Sequence, residues 1–171
     1  MVRLALVLAV AVACTATRAA TPWETYIDEP SPENARDVDR ISFSEDEDED
    51  YWPGLLILRL QVFSGDADAF DLTLRLLKDS DGALLEDLAQ ISGLSLRAQP
   101  DQFLRGVASA ELSESLLESI LNATGEEYVD KPKGKKYELD MRRATLESID
   151  DESLQTIRDL SLSLLESHDG M

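Results

Sequence analysis

The sequence predicts an all-α protein, a compact bundle or short stack of about six to eight antiparallel helices that follows a cleaved signal. Between Asp66 and Leu165, apolar residues recur at steps of three and four, the spacing that places side chains on one face of a helix. Turn-forming and helix-capping residues separate these runs. Only Leu55–Phe63 also fits a strand, and a lone strand would leave its backbone groups without partners. The helical spacing of the apolar residues and the lack of a second strand therefore predict an all-α fold.

The N-terminal segment has the layout of a secretory signal. Arg3 precedes an unbroken apolar run, Leu4–Ala13, and small residues follow. This run is too short for a membrane span, which needs about 20 residues. Two processing routes stay open: cleavage after Ala19, or lipidation of Cys14, which directly follows the apolar run as in a bacterial lipobox. Residues 1–20 are thus predicted to be a signal peptide. The product is expected in the periplasm or outer envelope of a bacterium, and otherwise secreted.

The composition limits the classes of partner. Of 171 residues, 35 are Asp or Glu and 16 are Lys or Arg, which gives a net charge of −19. A field of this sign repels nucleic acid and anionic membranes and attracts basic proteins. The chain has one cysteine, and its length suffices to bury a core without disulfides. We therefore expect a basic protein partner and no nucleic acid.

Residues 21–50 are predicted to form an extended acidic segment with one short helix. Ser31 and Pro32 form a typical helix start, which places Ala35 and Val38 inward in a helix that ends near Arg40. An acidic run follows, and its like charges predict a solvated loop. The run has no glycine for the sharp turn of an EF-hand calcium loop. The candidate partner-contact residues are Glu45, Asp46, Glu47, Asp48, Glu49, Asp50 and Trp52.

Residues 51–171 are predicted to be the helical domain. Residues 51–54 interrupt the acidic run, and Leu55–Phe63 is interpreted as a buried helix. Gly93 lies inside a helix predicted from Ala83 to Arg97, which indicates either a close neighbour or a break there. The apolar faces predicted for the successive helices are Ala67, Phe70, Leu74 and Leu77; Leu84, Leu88 and Ile91; Phe103, Leu104 and Val107; Leu112, Leu116, Leu117, Ile120 and Leu121; Tyr137, Met141 and Ala144; and Leu154, Ile157, Leu160 and Leu164.

A second loop is predicted from Glu126 to Lys136, and it concentrates positive charge in an acidic chain. One helix is expected before it, from about Ala110 to Thr124, and another after it, from about Lys135 to Ile149. Asp150 is expected to cap the last helix. The candidate anion-contact residues are Lys131, Lys133, Lys135 and Lys136.

Four short segments look alike: Leu-Leu-Glu-Asp at 84–87, Leu-Leu-Glu-Ser at 116–119 and 164–167, and Thr-Leu-Glu-Ser at 145–148. Their unequal spacing argues against a true repeat. They resemble the helix-pair units of HEAT-like or tetratricopeptide-like stacks, although the signature residues of those families are missing. The resemblance implies an architecture and no family.

Few residues of the chain suit catalysis. The sole histidine, His168, lies near the C-terminus, where it is a poor partner for a nucleophile. The sequence has no Cys/His cluster for zinc and no glycine-rich phosphate loop. We therefore expect no metal, no cofactor and no enzymatic activity, and interpret the chain as an exported, non-catalytic binding or adaptor protein of the cell envelope. Two alternatives are an acidic immunity or inhibitor protein that neutralises a basic toxin or enzyme, and a carboxylate-dependent hydrolase.

Overall fold

A computed structural model describes residues 19–41, 51–125, 128 and 130–168 of the chain. These residues form nine α-helices and one 3₁₀ turn, and no strand occurs among them. The prediction of an all-α protein is confirmed, and Leu55–Phe63 is helical. The prediction that this helix is buried is wrong for one face, because Leu56, Leu60 and Phe63 are exposed. None of the helices in this part of the chain is long and apolar enough to cross a membrane. The helices are α1 (Pro22–Asp28), α2 (Pro32–Asp37), α3 (Tyr51–Phe63), α4 (Ala67–Lys78), α5 (Gly82–Ala98), α6 (Pro100–Ala110), α7 (Glu114–Asn122), α8 (Pro132–Glu147) and α9 (Gln155–His168), with the 3₁₀ turn Glu152–Leu154 before α9.

Short polar side chains set several helix starts. Thr21 accepts a hydrogen bond from the backbone N–H of Glu24 at 3.2 Å, and the Glu24 carboxylate accepts one from the backbone N–H of Thr21, which together form a capping box. Ser31 caps α2 and Asp66 caps α4 through the same kind of bond to the third residue of the helix. These bonds satisfy N–H groups that a helix start leaves without partners. The starts predicted at Ser31 and Asp66 are confirmed.

Helix α5 lies at the centre of the fold, where it contacts α3, α4, α6, α7 and α8. Its Leu88, Ile91 and Leu96 are buried in the core. On one side of α5, Phe70 of α4 and Phe103 of α6 pack with ring centroids 6.0 Å apart.

The N-terminal helices pack against this core. The structure adds α1 to the single helix expected in residues 21–50, and α1 buries Trp23 and Tyr26. Arg75 of α4 anchors the chain after α2, because its guanidinium donates to the backbone oxygens of Ala35 at 2.6 Å and Val38 at 3.0 Å. Ala35 and Val38 are buried, as predicted. The wider division into residues 1–20, 21–50 and 51–171 stays a prediction.

Several predicted boundaries are wrong by a few residues. Helix α3 begins at Tyr51 rather than at Leu55, so Pro53 and Gly54 lie in its first turn. Proline is tolerated there because the first N–H groups of a helix have no acceptor in any case. Helix α6 ends at Ala110, and its C-cap Glu111 reverses the chain with a left-handed φ of 50°, so α7 starts at Glu114 rather than near Ala110.

The cap predicted at Asp150 is displaced by one residue. Asp151 accepts hydrogen bonds from the hydroxyl and the backbone N–H of Ser153, at 2.7 and 2.9 Å, and so begins the 3₁₀ turn that precedes α9. These bonds favour the ionised carboxylate and hold the pKa of Asp151 below its ordinary value, with a smaller contribution from Arg105. The chain therefore enters α9 through a turn rather than directly.

The predicted inward faces are largely confirmed, with one clear exception. Ala67 is exposed at the start of α4, and several leucines and isoleucines of the predicted faces are half-buried. In α8 the predicted face is wrong, because Tyr137 is 62% exposed and Ala144 is also exposed. The buried side chains of α8 are Glu138, Leu139, Arg142 and Leu146. An ion pair thus occupies positions where periodicity analysis looks for apolar residues.

The phenol of Tyr26 gives a testable pH dependence. Burial, with smaller contributions from the charges of Asp66 and Asp68, raises its pKa from 10.0 to about 12. The unfolded chain ionises this group at its ordinary pKa, so stability is fully present below pH 10 and is lost as the pH rises towards 12. Tyr26→Phe should remove this loss, which amounts to about 2 kcal/mol.

Urea denaturation across this alkaline range measures the effect. At neutral pH, Tyr26→Phe should cost little, because the buried hydroxyl has no hydrogen-bond partner within the described residues. Tyr137→Phe, at an exposed tyrosine, is the matched control and should follow the wild-type pH profile. Parallel alkaline losses in wild type and Tyr26→Phe would show that Tyr26 ionises as readily in the folded chain as in the unfolded one.

Candidate functional site

The structure places only some of the residues singled out from the sequence. Cys14 and the acidic run Glu45–Asp50 lie outside the described residues. Trp52 belongs to the first turn of α3. The contacts proposed for these residues therefore stay predictions.

The part of the predicted lysine-rich loop from Pro132 to Lys136 is helical. Helix α8 begins at Pro132, with Lys131 just before it, so Lys133, Lys135 and Lys136 lie in its first two turns. Proline at the first helical position favours this start. Lys136 forms an ion pair with Asp140 of the same helix at 3.3 Å. The lysines do not line the cleft that the structure forms between α3, α5 and α8, and their proposed role in anion contact stays a prediction.

The cleft has a volume of about 420 Å³, within the range of roughly 300–1,000 Å³ that is usual for ligand sites. Most of the side chains that line it are either charged, with guanidinium or carboxylate groups, or apolar and aromatic. The lining residues are Arg59 and Phe63 of α3; Gln90, Leu94, Arg97 and Ala98 of α5; Glu138 and Arg142 of α8; and Ala123, Gly125 and Tyr128 of the connection between α7 and α8.

Two arginines hold the carboxylate of Glu138 at the base of the cleft. Oε1 of Glu138 accepts from Nε of Arg142 at 3.2 Å, and Oε2 accepts from Nη1 of Arg97 at 2.7 Å. The side chain of Arg142 is only 3% exposed, whereas that of Arg97 is 42% exposed. The carboxylate of Glu138 therefore links the buried guanidinium of Arg142 to the partly exposed guanidinium of Arg97.

Arg142 also closes the C-terminal end of α7. Its Nη1 donates to the backbone oxygens of Ile120 at 3.1 Å and Leu121 at 2.8 Å. The last carbonyls of a helix have no partner within the helix and carry its negative dipole end, so a buried cation is favoured there. Burial lowers the pKa of Arg142, while the charge and hydrogen bond of Glu138 oppose this shift.

Gly93 makes room for this arrangement. A Cβ atom at position 93 would lie 3.0 Å from Nη1 of Arg142 and 3.0 Å from the backbone oxygen of Ile120. Of a close neighbour and a helix break, the two explanations for this glycine, the first is right, because α5 continues unbroken past it. Helices α5, α7 and α8 thus meet at one guanidinium.

The described residues that line the cleft are positively charged overall, opposite in sign to the whole protein. They carry three guanidiniums and one carboxylate, in a chain whose net charge is −19. Arg59 makes no hydrogen bond or ion pair with any residue that the structure describes. Guanidiniums stay protonated at neutral pH and donate hydrogen bonds without transferring protons. The arrangement therefore suits binding an anionic group better than acid–base chemistry.

A second surface adjoins the cleft. Leu56, Leu60 and Phe63 of α3 are 56%, 58% and 60% exposed, and their spacing places them on one face of the helix. We call these three side chains the α3 surface. The opposite face of α3 packs into the core through Leu55, Leu58 and Val62. Phe63 belongs to both the α3 surface and the cleft.

Sequence reasoning missed the cleft because its charged residues are far apart in the chain. Two signals were nevertheless present. Arg59 interrupts the most apolar run of the helical domain, and Gly93 marks a place where a large group approaches α5. Within the residues that the structure describes, no group of three or more His, Cys, Asp or Glu side chains is arranged to hold a metal ion.

Comparison of the chain with protein-family models, with curated proteins and with solved structures found no match. The function is therefore inferred from the geometry and charge of the described residues.

The ion-pair network gives a stability prediction. Glu138→Gln leaves Arg142 buried with a neutral partner, and Arg142→Met leaves the α7 carbonyls without their donor. Each variant should lower the free energy of unfolding by about 3–5 kcal/mol. Lys136→Met, which removes the exposed pair with Asp140 on the same helix, should cost about 0–1 kcal/mol.

Urea denaturation at neutral pH measures these losses. Gly93→Ala should also destabilise, although alanine is the better helix former, because its Cβ crowds backbone as well as the guanidinium. Equal losses in Arg142→Met and Lys136→Met would contradict the role of Arg142 as a structural link.

Proposed function

We propose that this chain is an exported, non-catalytic α-helical binding protein that engages a partner protein through the α3 surface. The observation that carries the proposal is the exposure of three large apolar side chains on one helix face. Contiguous exposed apolar groups are uncommon on monomeric proteins and often mark interaction sites. Among the described residues, nothing covers this face.

The apolar character of α3 on both faces supports this proposal. A helix that is apolar all round is usually buried on all sides. Helix α3 buries one face through contacts with α1, α4 and α5, while Leu56, Leu60 and Phe63 stay exposed on another. A helix of this composition reaches the expected burial if a partner covers the α3 surface.

The shape of the surface favours a helical segment as the occupant. A shallow hollow of about 130 Å³ runs beside the α3 surface, between Leu56 and Arg59 of α3 and Asp87 and Gln90 of α5. An amphipathic helix can place its apolar face against such a surface and a side chain in the hollow. Basic residues on the rim of the partner would suit the net charge of −19 and the acidic run that directly precedes α3 in the sequence.

Two further features belong to this proposal. Export is supported by Arg3 and the apolar run Leu4–Ala13, with the periplasm or outer envelope as the destination in a bacterium and a lipid anchor on Cys14 as one route. The contacts of consecutive helices α4 with α5 and α5 with α6 are compatible with a short HEAT-like or tetratricopeptide-like stack. Binding rather than catalysis is supported by Glu138, because arginines occupy both of its carboxylate oxygens.

A photo-crosslinking amino acid at position 60 tests the proposal in cells that produce the protein. We expect a defined adduct from position 60, and a basic amphipathic helix at the crosslinked site of the partner. Position 137 on α8 is a matched control, since Tyr137 is exposed to the same extent but lies outside the α3 surface and the cleft.

Leu56→Asp provides the second control. Because Leu56 is exposed, this substitution should change the free energy of unfolding by only about 0.5 kcal/mol while abolishing the adduct from position 60. The same adducts from positions 60 and 137, or an adduct that survives Leu56→Asp, would refute the assignment of the α3 surface.

A further inference from the structure

We propose that the cleft between α3, α5 and α8 binds a small organic carboxylate with an apolar body. Arg59 and Arg97 would hold its carboxylate group. Phe63, Leu94 and Ala98 would pack against its apolar part. This site goes beyond the partner surface on α3; the two share Phe63, but the cleft has an experiment of its own.

Two arginines that line the cleft have unused hydrogen-bond donors. Arg97 gives only its Nη1 to Glu138, and the described residues contain no acceptor for its other N–H groups. Arg59 has no partner in that part of the chain. A guanidinium carries five N–H donors in a planar fork that matches a carboxylate. The guanidiniums of Arg59 and Arg97 therefore both border the cleft with unused N–H donors.

An ion-pair network of Arg142, Glu138 and Arg97 holds the cleft in shape. Arg142 is occupied by Glu138 and by the α7 carbonyls, so we assign it as a positioning residue rather than a ligand contact. It fixes the carboxylate of Glu138, and Glu138 fixes the guanidinium of Arg97. This preorganisation reduces the ordering cost when a ligand binds.

The apolar lining of the cleft and the net charge of the protein determine which class of ligand fits. Phe63, Leu94 and Ala98 give the cleft apolar walls, which a fully polar anion such as inorganic phosphate would leave without complementary contacts. The net charge of −19 opposes the approach of anions, and it opposes a doubly charged phosphate more strongly than a singly charged carboxylate. A monocarboxylate with an aliphatic or aromatic body satisfies both constraints.

Three probes of equal chain length test the proposal: octanoate, octanol and octylamine. They share an apolar body and differ in the charge of the head group. Titration into the ¹⁵N-labelled full chain, followed by NMR, should show octanoate shifting the amide signals of Leu94, Ala98 and Tyr128. Octanol and octylamine should bind at least about tenfold more weakly, because they lack the charge-assisted hydrogen bonds to the arginines.

Two variants locate the binding. Arg59→Met should weaken octanoate binding about tenfold or more without affecting the fold, since Arg59 has no partner in the described part of the chain. Arg36→Met, at an exposed arginine of α2, is the matched control and should bind octanoate as wild type does. Ala98→Phe should fill the cleft and abolish the shifts, with circular dichroism as the check on folding.

Four outcomes would overturn the proposal: equal binding of the three probes, octanoate binding that is unchanged in Arg59→Met, inorganic phosphate that binds at the same amides as tightly as octanoate, and no shifts at millimolar octanoate. These outcomes concern the cleft alone. The crosslink from position 60 tests the α3 surface separately, so the two proposals can fail independently.

Discussion

The buried guanidinium of Arg142 is the interaction on which the central part of the structure depends. It joins three helices, because it lies on α8, donates to the C-terminal carbonyls of α7 and packs against Gly93 of α5. Removing a charge from water costs several kcal/mol unless other groups compensate it. Here the carboxylate of Glu138 and the α7 carbonyls provide that compensation. Few arrangements of α5, α7 and α8 satisfy all of these donors and acceptors at once. The network therefore fixes the geometry with which the three helices meet.

The same network connects stability to the candidate site. Glu138 uses one carboxylate oxygen inside the protein and the other at the cleft wall, where it orients Arg97. Arg59 reaches the cleft from α3, whose outer face carries the α3 surface. Within the described residues, a chain with a net charge of −19 thus brings three guanidiniums and one carboxylate together beside exposed apolar side chains. The net negative charge of the protein favours a basic protein partner at the α3 surface. The arginines of the cleft favour a small anion.

The sequence predicted much of the fold and little of the candidate site, for physical reasons. Apolar periodicity located α4, α5 and α6, because their inward faces are made of large apolar side chains such as Phe70, Leu88 and Phe103. The same method chose the wrong face of α8, where an ion pair takes the buried positions and a tyrosine is exposed. Helix α1, with seven residues, is too short for a periodic pattern, and only its capping signal, Thr21 with Pro22 and Glu24, could have located it, as Ser31 and Pro32 located α2. The cleft depends on residues that meet only in three dimensions.

The guanidinium N–H signals of Arg142 test most directly whether this group links α5, α7 and α8. NMR of a sample with ¹⁵N- and ¹³C-labelled arginine, isoleucine and leucine should resolve separate, slowly exchanging Nη–H signals for Arg142, with couplings across hydrogen bonds to the carbonyl carbons of Ile120 and Leu121. Those signals should be retained under conditions where the signals of the exposed Arg36 are lost to exchange with water. A single averaged, rapidly exchanging signal for Arg142, like that of Arg36, would contradict the central role of this group.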